Sequence, residues 1–319
     1  MGGVNGVNGV NGHGGGHAGA PPDHVDRVLG FTIPARHTRG RLVRLGPVLD
    51  AILGSHGYPP PVAALLAEAL TLTALLGSTL KDADGQLTLQ AQTTGGVVDL
   101  LVCDYRDGEM RGYARHDPGR LAGLPADAAP FALFGEGYLA ITFDRAASDQ
   151  RYQGIVPLEG GSLAAAAERY FGQSEQIPSL VRIAAVSRGA AGWVAGGLLL
   201  QHLAEGEVGR ERLDIRADHP EWEHVATLGA TIDPRELVGP ALPLDRLAWR
   251  LFHEEPEIRV LPAVALSRGC RCNPAHIRNV LGRFPADERM AMADGTGYIP
   301  VDCEFCSRRF SIALADLDS

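Results

Sequence analysis

Four of the five cysteines fall into two tight groups near the C-terminal end, Gly269-Cys270-Arg271-Cys272-Asn273-Pro274 and Cys303-Glu304-Phe305-Cys306. A Cys-X-Cys pair and a Cys-X-X-Cys pair bracketing a helical stretch supply four thiolates. That is the donor set of a closed tetrahedral zinc site, with Zn–S bonds of about 2.3 Å and neighbouring sulfurs roughly 3.7 Å apart. Core cysteines scattered by chance do not pair in this way. Thiolates are also the form that oxidants attack, and disulfide formation at such a site would expel the metal and the fold it supports. The residues alone leave two readings open, an inert structural zinc knuckle and a redox switch. His276 follows the first pair closely, but four thiolates already fill the shell. The fifth cysteine, Cys103, lies in a strand-like apolar run and reads as a small buried hydrophobe.

The elements around these pairs are short. Asn273 followed by Pro274 is an N-cap with proline at the first helical position, so 275–281 is expected to be a helix that starts directly after the first pair. A second short helix over 283–292 and a strand over 298–301 would lead into the Cys-X-X-Cys knuckle. A unit this poor in large apolar residues builds little core, so zinc would supply most of its folding free energy, on the order of 10 kcal/mol.

At 319 residues and 33.8 kDa the chain is larger than one ordinary compact unit, and two or more are expected. The apolar fraction of 45%, charged fraction of 21% and net charge of −9 are those of a soluble globular protein. The acidic balance argues against nucleic acid and anionic membranes as partners. The first twenty residues, with Val-Asn-Gly repeated from Val4 to Gly12, form no apolar run and read as a disordered glycine-rich tail. Without a secretory signal or a membrane-length apolar stretch, the thiols are expected in a reducing cytoplasm. There, clustered cysteines favour metal or redox chemistry over structural disulfides.

From Val25 the pattern turns globular. A strand over 28–33 and a helix near 47–53 come first, then a helix over 62–80, apolar on nearly every face, that must be buried. Alternating runs at 87–92, 97–105, 110–114, 138–143 and 151–157 read as antiparallel strands. A helix over 163–170 with Ser162 as N-cap and strands over 181–186 and 193–200 complete an α+β unit spanning 21–218. The next stretch, 219–266, carries Trp222, Val225, Leu228 and Ile232, then Leu244, Leu247, Trp249, Leu251 and Phe252, at helical spacing between prolines. Short amphipathic helices of this kind are marginal alone and depend on docking, here expected through Trp222, Leu247 and Phe252. The fold class is thus α+β: an N-terminal antiparallel-sheet unit with helices, a short helical linker, and a four-cysteine zinc module over 267–319.

Two rival functions fail on the same residues. A zinc-ribbon binder of nucleic acid needs a basic module, whereas arginines and acids balance from Ser267 to Ser319. A thioredoxin-like oxidoreductase places its Cys-X-X-Cys between a strand and a helix, not near a C-terminal end. With no glycine-rich phosphate loop, nucleophile elbow or HExxH motif, conventional enzyme chemistry has no anchor.

The chain resembles the 33 kDa chaperonin family of bacterial redox-regulated holdases. The resemblance rests on His56-Gly57-Tyr58-Pro59, Arg151-Tyr152-Gln153-Gly154-Ile155-Val156-Pro157-Leu158, Tyr170-Phe171 with Gln173-Ser174-Glu175-Gln176-Ile177-Pro178, Leu251-Phe252-His253-Glu254, and the two cysteine pairs, in order. The departures are the tail before Pro21 and Gly295-Thr296-Gly297-Tyr298. The resemblance implies a cytoplasmic, ATP-independent holdase that is inactive while reduced and bound to one zinc ion. Oxidation would form the local disulfides Cys270–Cys272 and Cys303–Cys306, release zinc and unfold the linker. The activated form would dimerise and hold unfolding client proteins. The alternative is an inert structural zinc-ribbon module without redox switching.

Overall fold

The computed structural model describes residues 25–80, 84–125, 128–145, 150–203 and 219–317. The expected tail over 1–20 and the expected unit boundary at 218 lie outside them. In chain order the elements begin with strands β1 (Arg27–Ile33) and β2 (Thr38–Leu45), helices α1 (Pro47–Leu53) and α2 (Pro60–Gly77), and strands β3 (Gln86–Thr94), β4 (Val98–Arg106) and β5 (Glu109–His116). They continue with α3 (Pro118–Leu121), β6 (Glu136–Arg145), β7 (Gln150–Pro157), α4 (Leu163–Tyr170), β8 (Ser179–Ser187) and β9 (Trp193–His202). Next come α5 (Pro220–Ala230), α6 (Pro234–Val238), α7 (Leu244–Phe252), and the two-residue strands β10 (Arg259–Val260), β11 (Val264–Ala265) and β12 (Ser267–Arg268). The chain then forms α8 (Pro274–Leu281), α9 (Ala286–Met292), β13 (Tyr298–Asp302) and β14 (Arg309–Ala313).

Helix α2 explains the arrangement of the rest. It is apolar on nearly every side, so no single face satisfies it, and the chain buries it between two sheets. One sheet runs β10-β1-β2-β9-β8, with β11 also paired to β1; the other runs β12-β5-β4-β3-β6-β7. Leu65, Leu66, Leu70 and Leu75 of α2 share one core with Val43, Val181 and Leu199 of the first sheet and Leu87, Leu89, Leu101, Cys103 and Ile141 of the second. Thr71 and Thr73 donate their hydroxyls to the carbonyls of Ala67 and Ala69, at 2.8 and 2.7 Å, while Glu68, the one charged side chain of the helix, has its carboxyl pushed up to about 7 by burial. The helix stops before the expected residue 80 because Ser78 and Thr79 turn their hydroxyls back onto the carbonyls of Leu75 and Leu76. Among the described residues this is the one helix apolar and long enough to cross a membrane by composition, and 78% of it is buried inside protein.

The first sheet is buried on its other face as well. There Leu29, Phe31, Ile33, Leu42, Leu198 and Leu200 form a second core with Trp222, Val225, Leu237, Leu244, Leu247 and Phe252 of α5, α6 and α7. Period-two alternation within β1 makes this possible, with Val28 facing α2 and Leu29 and Phe31 facing the helices. Trp249 departs from the expected docking face: it is 58% exposed, against His253. It lies two residues from Leu247, about 200° around a helix, so the two cannot share a face.

Three further departures concern strands and one a second helix. The sequence pattern gives no strand over 38–45, where Arg39, Gly40, Arg41 and Arg44 interrupt the apolar residues, yet β2 pairs with β1 and β9 along its length. Gly40 is required opposite Phe31, whose ring would lie 2.1 Å from a Cβ there. The end of the 219–266 stretch is not helical, since β10 and β11 pair with β1, and the 267–319 stretch opens on β12, which runs parallel to β5. Strand β14 pairs with β13 to close a small hairpin over Leu281, Ile299 and Ile312. Helix α9 begins at Ala286 rather than 283, because Pro285 biases Phe284 away from helical backbone.

Candidate metal centre

Each cysteine pair is held by local backbone chemistry. β12 delivers the first pair, with the N–H groups of Ser267 and Gly269 donating to the carbonyls of Gly108 and Met110, both at 2.9 Å. Directly afterwards Asn273 caps α8, its Oδ1 accepting from the N–H of His276 at 2.7 Å. The second pair sits in a knuckle at the end of β13. The N–H groups of Cys306 and Ser307 donate to the Cys303 carbonyl at 3.2 and 2.8 Å, and Cys303 donates to the Arg308 carbonyl at 2.9 Å. The altered turn before β13 is closed by Asp294, whose Oδ1 accepts from the N–H groups of Thr296 and Tyr298 and from the Thr296 hydroxyl. Gly297 supplies the left-handed backbone, with φ of 82°.

These elements bring Cys270, Cys272, Cys303 and Cys306 together, with all four sulfurs within 4.8 Å of one another. Cys270 Sγ lies 3.2 Å from Cys272 and 3.6 Å from Cys303, and Cys272 lies 3.4 Å from Cys306. These spacings approach the edge of about 3.7 Å in a tetrahedron of Zn–S bonds. All four cysteines are half-buried. Burial alone would raise the Cys270 thiol, but the Cys272 N–H and the neighbouring thiols outweigh it and bring it down to about 7. Burial and the surrounding sulfurs push Cys272 and Cys303 up. Thiolate charge on four sulfurs this close is mutually repulsive, which is the condition a divalent cation relieves. Four soft donors with no carboxylate or imidazole among them fit zinc better than magnesium or calcium. His276 stays exposed on α8, outside the cluster.

The spacer residues inside the pairs reach the second sheet. Phe305, between Cys303 and Cys306, packs edge-on against Tyr113 with ring centroids 5.0 Å apart, and the Arg111 guanidinium lies 3.9 Å from its centroid. Arg111 is itself aimed by the buried Asp104, which accepts from its Nε at 2.7 Å and also from the Thr88 hydroxyl. Arg271, between Cys270 and Cys272, donates to Gln86 Oε1 of β3. Ser307 Oγ is 2.9 Å from His56 Nδ1, and the His56 ring stacks on Tyr58 at 4.9 Å. Sequence reasoning found the sulfurs but assigned no role to Arg111, Tyr113 or Asp104. His56 and Tyr58 stood in a quoted motif without a role.

Trp222, Leu247 and Phe252 lie away from the sulfurs, all buried in the second core. Cys103 is fully buried beneath Gly112, and burial pushes its thiol well up, so it is chemically quiet. A buried helix between two sheets, overlaid by short helices and joined to a four-thiol hairpin, defines a class of α+β proteins with a C-terminal cysteine centre.

The chain belongs to the family described as Hsp33 protein, which matches residues 26–313. It is similar to the 33 kDa chaperonin of Caulobacter vibrioides (strain NA1000 / CB15N), 41% identical over 293 residues covering 90% of this chain and 94% of that one. The 33 kDa chaperonin of Pseudomonas aeruginosa (strain LESB58) is 36% identical over 296 residues, covering 92% and 94%. Among solved structures, the 33 kDa chaperonin of Thermotoga maritima shares the fold, with a TM-score of 0.74 at 22% identity over 92% of this chain and 97% of that one.

Proposed function

We propose that the chain is a redox-regulated, ATP-independent holdase of the cytoplasm. The observation that carries the reading is the set of four half-buried sulfurs within 4.8 Å, in a chain of the Hsp33 family. In the reduced protein Cys270, Cys272, Cys303 and Cys306 hold one zinc ion, residues 219–266 stay docked through Trp222, Leu247 and Phe252, and clients are refused. Bound zinc supplies charge neutralisation for the four thiolates and a brace for the hairpin, whose own core is little more than Leu281, Ile299 and Ile312.

Oxidant acting together with unfolding stress forms Cys270–Cys272 and Cys303–Cys306. In each pair two thiolates lose two electrons as the S–S bond forms, and hydrogen peroxide takes up those electrons and two protons to leave as two waters. The ligands are gone, the module over 267–319 loses its brace, and the linker undocks. The exposed face of the 21–218 unit then holds unfolding proteins without nucleotide, and the active form is a homodimer.

The test is zinc content, free-thiol count and suppression of aggregation of a model unfolding protein, each measured before and after peroxide at elevated temperature. Loss of four thiols and one zinc with gain of holding is expected. A chain that keeps its zinc, or loses it without gaining holding, is an inert zinc-ribbon module instead.

A further inference from the structure

Three histidines meet where one end of the first sheet receives the start of α5, and the thiol centre uses none of them. His202 closes β9 opposite Thr38 of β2 and is 4% exposed. His219 caps α5, its Nδ1 accepting from the Glu221 N–H at 3.4 Å, and its ring lies 5.2 Å from that of His202. His37, left-handed at φ of 45°, ends the turn before β2, with Nε2 3.9 Å from Glu221 Oε2. The Trp222 ring completes the group, 6.1 Å from His202. The His202 ring bonds the Arg36 carbonyl, and because its Nδ1 is buried without a partner, the bond comes from Nε2–H. His202 is therefore held neutral, with its proton on Nε2 and a lone pair enclosed on Nδ1.

A second proton on this ring would sit on Nδ1, a charged donor shut away from water and from any acceptor, and that costs far more than the orphaned lone pair does. The groups around it do not offset the cost. His219 and His37 oppose a positive charge there, and Arg36 turns its guanidinium away to Glu255. Glu221, the one carboxylate facing the ring among the described residues, is shared with His37. Trp222 stands at the limit of cation–π reach. Burial first, and then His219, thus push His202 below the ordinary 6.5, so docking weakens as pH falls below 6.5 and is unaffected well above it. Further along α5, His224 faces Glu255 at 2.9 Å, where a proton would strengthen docking, but its side chain is 42% exposed and water screens the gain. We propose that His202, His219 and His37 form an acid latch on the linker: the sheet end accepts α5 only while His202 is neutral, and mild acid loosens 219–230 without oxidation. That a loosened linker admits clients rests on the holdase reading above, whereas the latch rests on the docked geometry alone.

The test follows hydrogen exchange of the reduced, zinc-loaded full chain from about pH 7.5 to about 5.5, with protection corrected for the intrinsic exchange rate and zinc content checked at each pH. Protection across 220–230 should fall several-fold, up to about the tenfold that one histidine supplies over a pH unit below 6.5, while α2 and the β13–β14 hairpin keep theirs. His202→Gln keeps a donor for the Arg36 carbonyl and takes no proton, so it should lose that fall, and His219→Gln should lessen it. A His202→Gln chain whose protection falls as the wild type's does overturns the latch. If that variant does not dock even at about pH 7.5, the ring proton resonances of wild-type histidines decide: His202 should titrate below 6.5, and a midpoint at or above 6.5 overturns the proposal. Failure of the holdase reading looks different: the linker would open in acid through His202 without suppressing aggregation of a model unfolding protein, a result for the latch and against that reading.

Discussion

Cys103 and Cys303 have the same side chain and opposite surroundings. Cys103 is enclosed by apolar atoms that disfavour its thiolate, whereas Cys303 stands among three other sulfurs where a cation can collect the charge. Cys303→Ser should therefore weaken zinc binding severely, read as metal content of the reduced protein in competition with a chromophoric chelator. Stoichiometric zinc retained at high affinity would contradict a four-thiolate site. Cys103→Ala should leave oxidative activation intact, and loss of activation would show that the reactive thiols lie elsewhere. What was legible at this scale is what is local in sequence. The Asn273 cap and the Ser162 cap on Ala165 were visible because acceptor and donor lie three residues apart. Arg44 was not, because the carbonyls it donates to, those of Glu236, Leu237 and Leu242, lie 192 to 198 residues away and nothing in Arg-Leu-Val-Arg-Leu announces them.

At the scale of elements, the amphipathic pattern of 219–252 was readable because burial repeats with the helical period, and α5 and α7 follow it. The two-residue strands β10, β11 and β12 were not readable, since so short an element has no period and owes its existence to the edge it pairs with. The docked segment is held by apolar burial and by one buried acid. Glu255, at the end of α7, accepts from Arg36 Nε at 2.9 Å, and His224 Nε2 lies 2.9 Å from its other oxygen. Burial of Leu247 or Phe252 contributes about 1.5–3 kcal/mol each, and a charge placed there costs more. Inverting a docked population of about 99 to 1 needs roughly 5.5 kcal/mol, so one such substitution covers much of the distance. Leu247→Glu or Phe252→Glu should hold clients while reduced and zinc-loaded, with hydrogen exchange rising across 219–258 and not in α2. Variants that stay zinc-loaded, show an open linker and still refuse clients until oxidised would move the binding surface to the oxidised module.

The whole molecule joins its thiol centre to the second sheet through residues that sequence reading treated as spacers. Phe305 and Arg271 each lie between two cysteines, so the geometry of a pair fixes where its spacer points. A tetrahedral set of sulfurs holds Phe305 against Arg111 and Tyr113 and Arg271 against Gln86; a local disulfide would draw each pair together and turn its spacer. The docking contact is modest, a cation–π pair of about 0.5–2 kcal/mol with partial burial of one ring. Under the proposed mechanism, its size suits a contact that holds at rest and releases on oxidation. Phe305→Ala leaves all four ligands in place and removes that contact, so zinc content should stay at one per chain while exchange rises at the β5 edge and in the knuckle. With the module already loose, peroxide should reach the thiolates more readily, and activation should become several-fold faster at temperatures where the wild type responds slowly. Arg111→Ala removes the same cation–π contact from the other side together with its ion pair to Asp104, so the double variant should activate no faster than Arg111→Ala alone. If Phe305→Ala loosens the knuckle by exchange yet activates at the wild-type rate, docking on the second sheet plays no part in timing the switch, and the stability of the zinc module alone would set it.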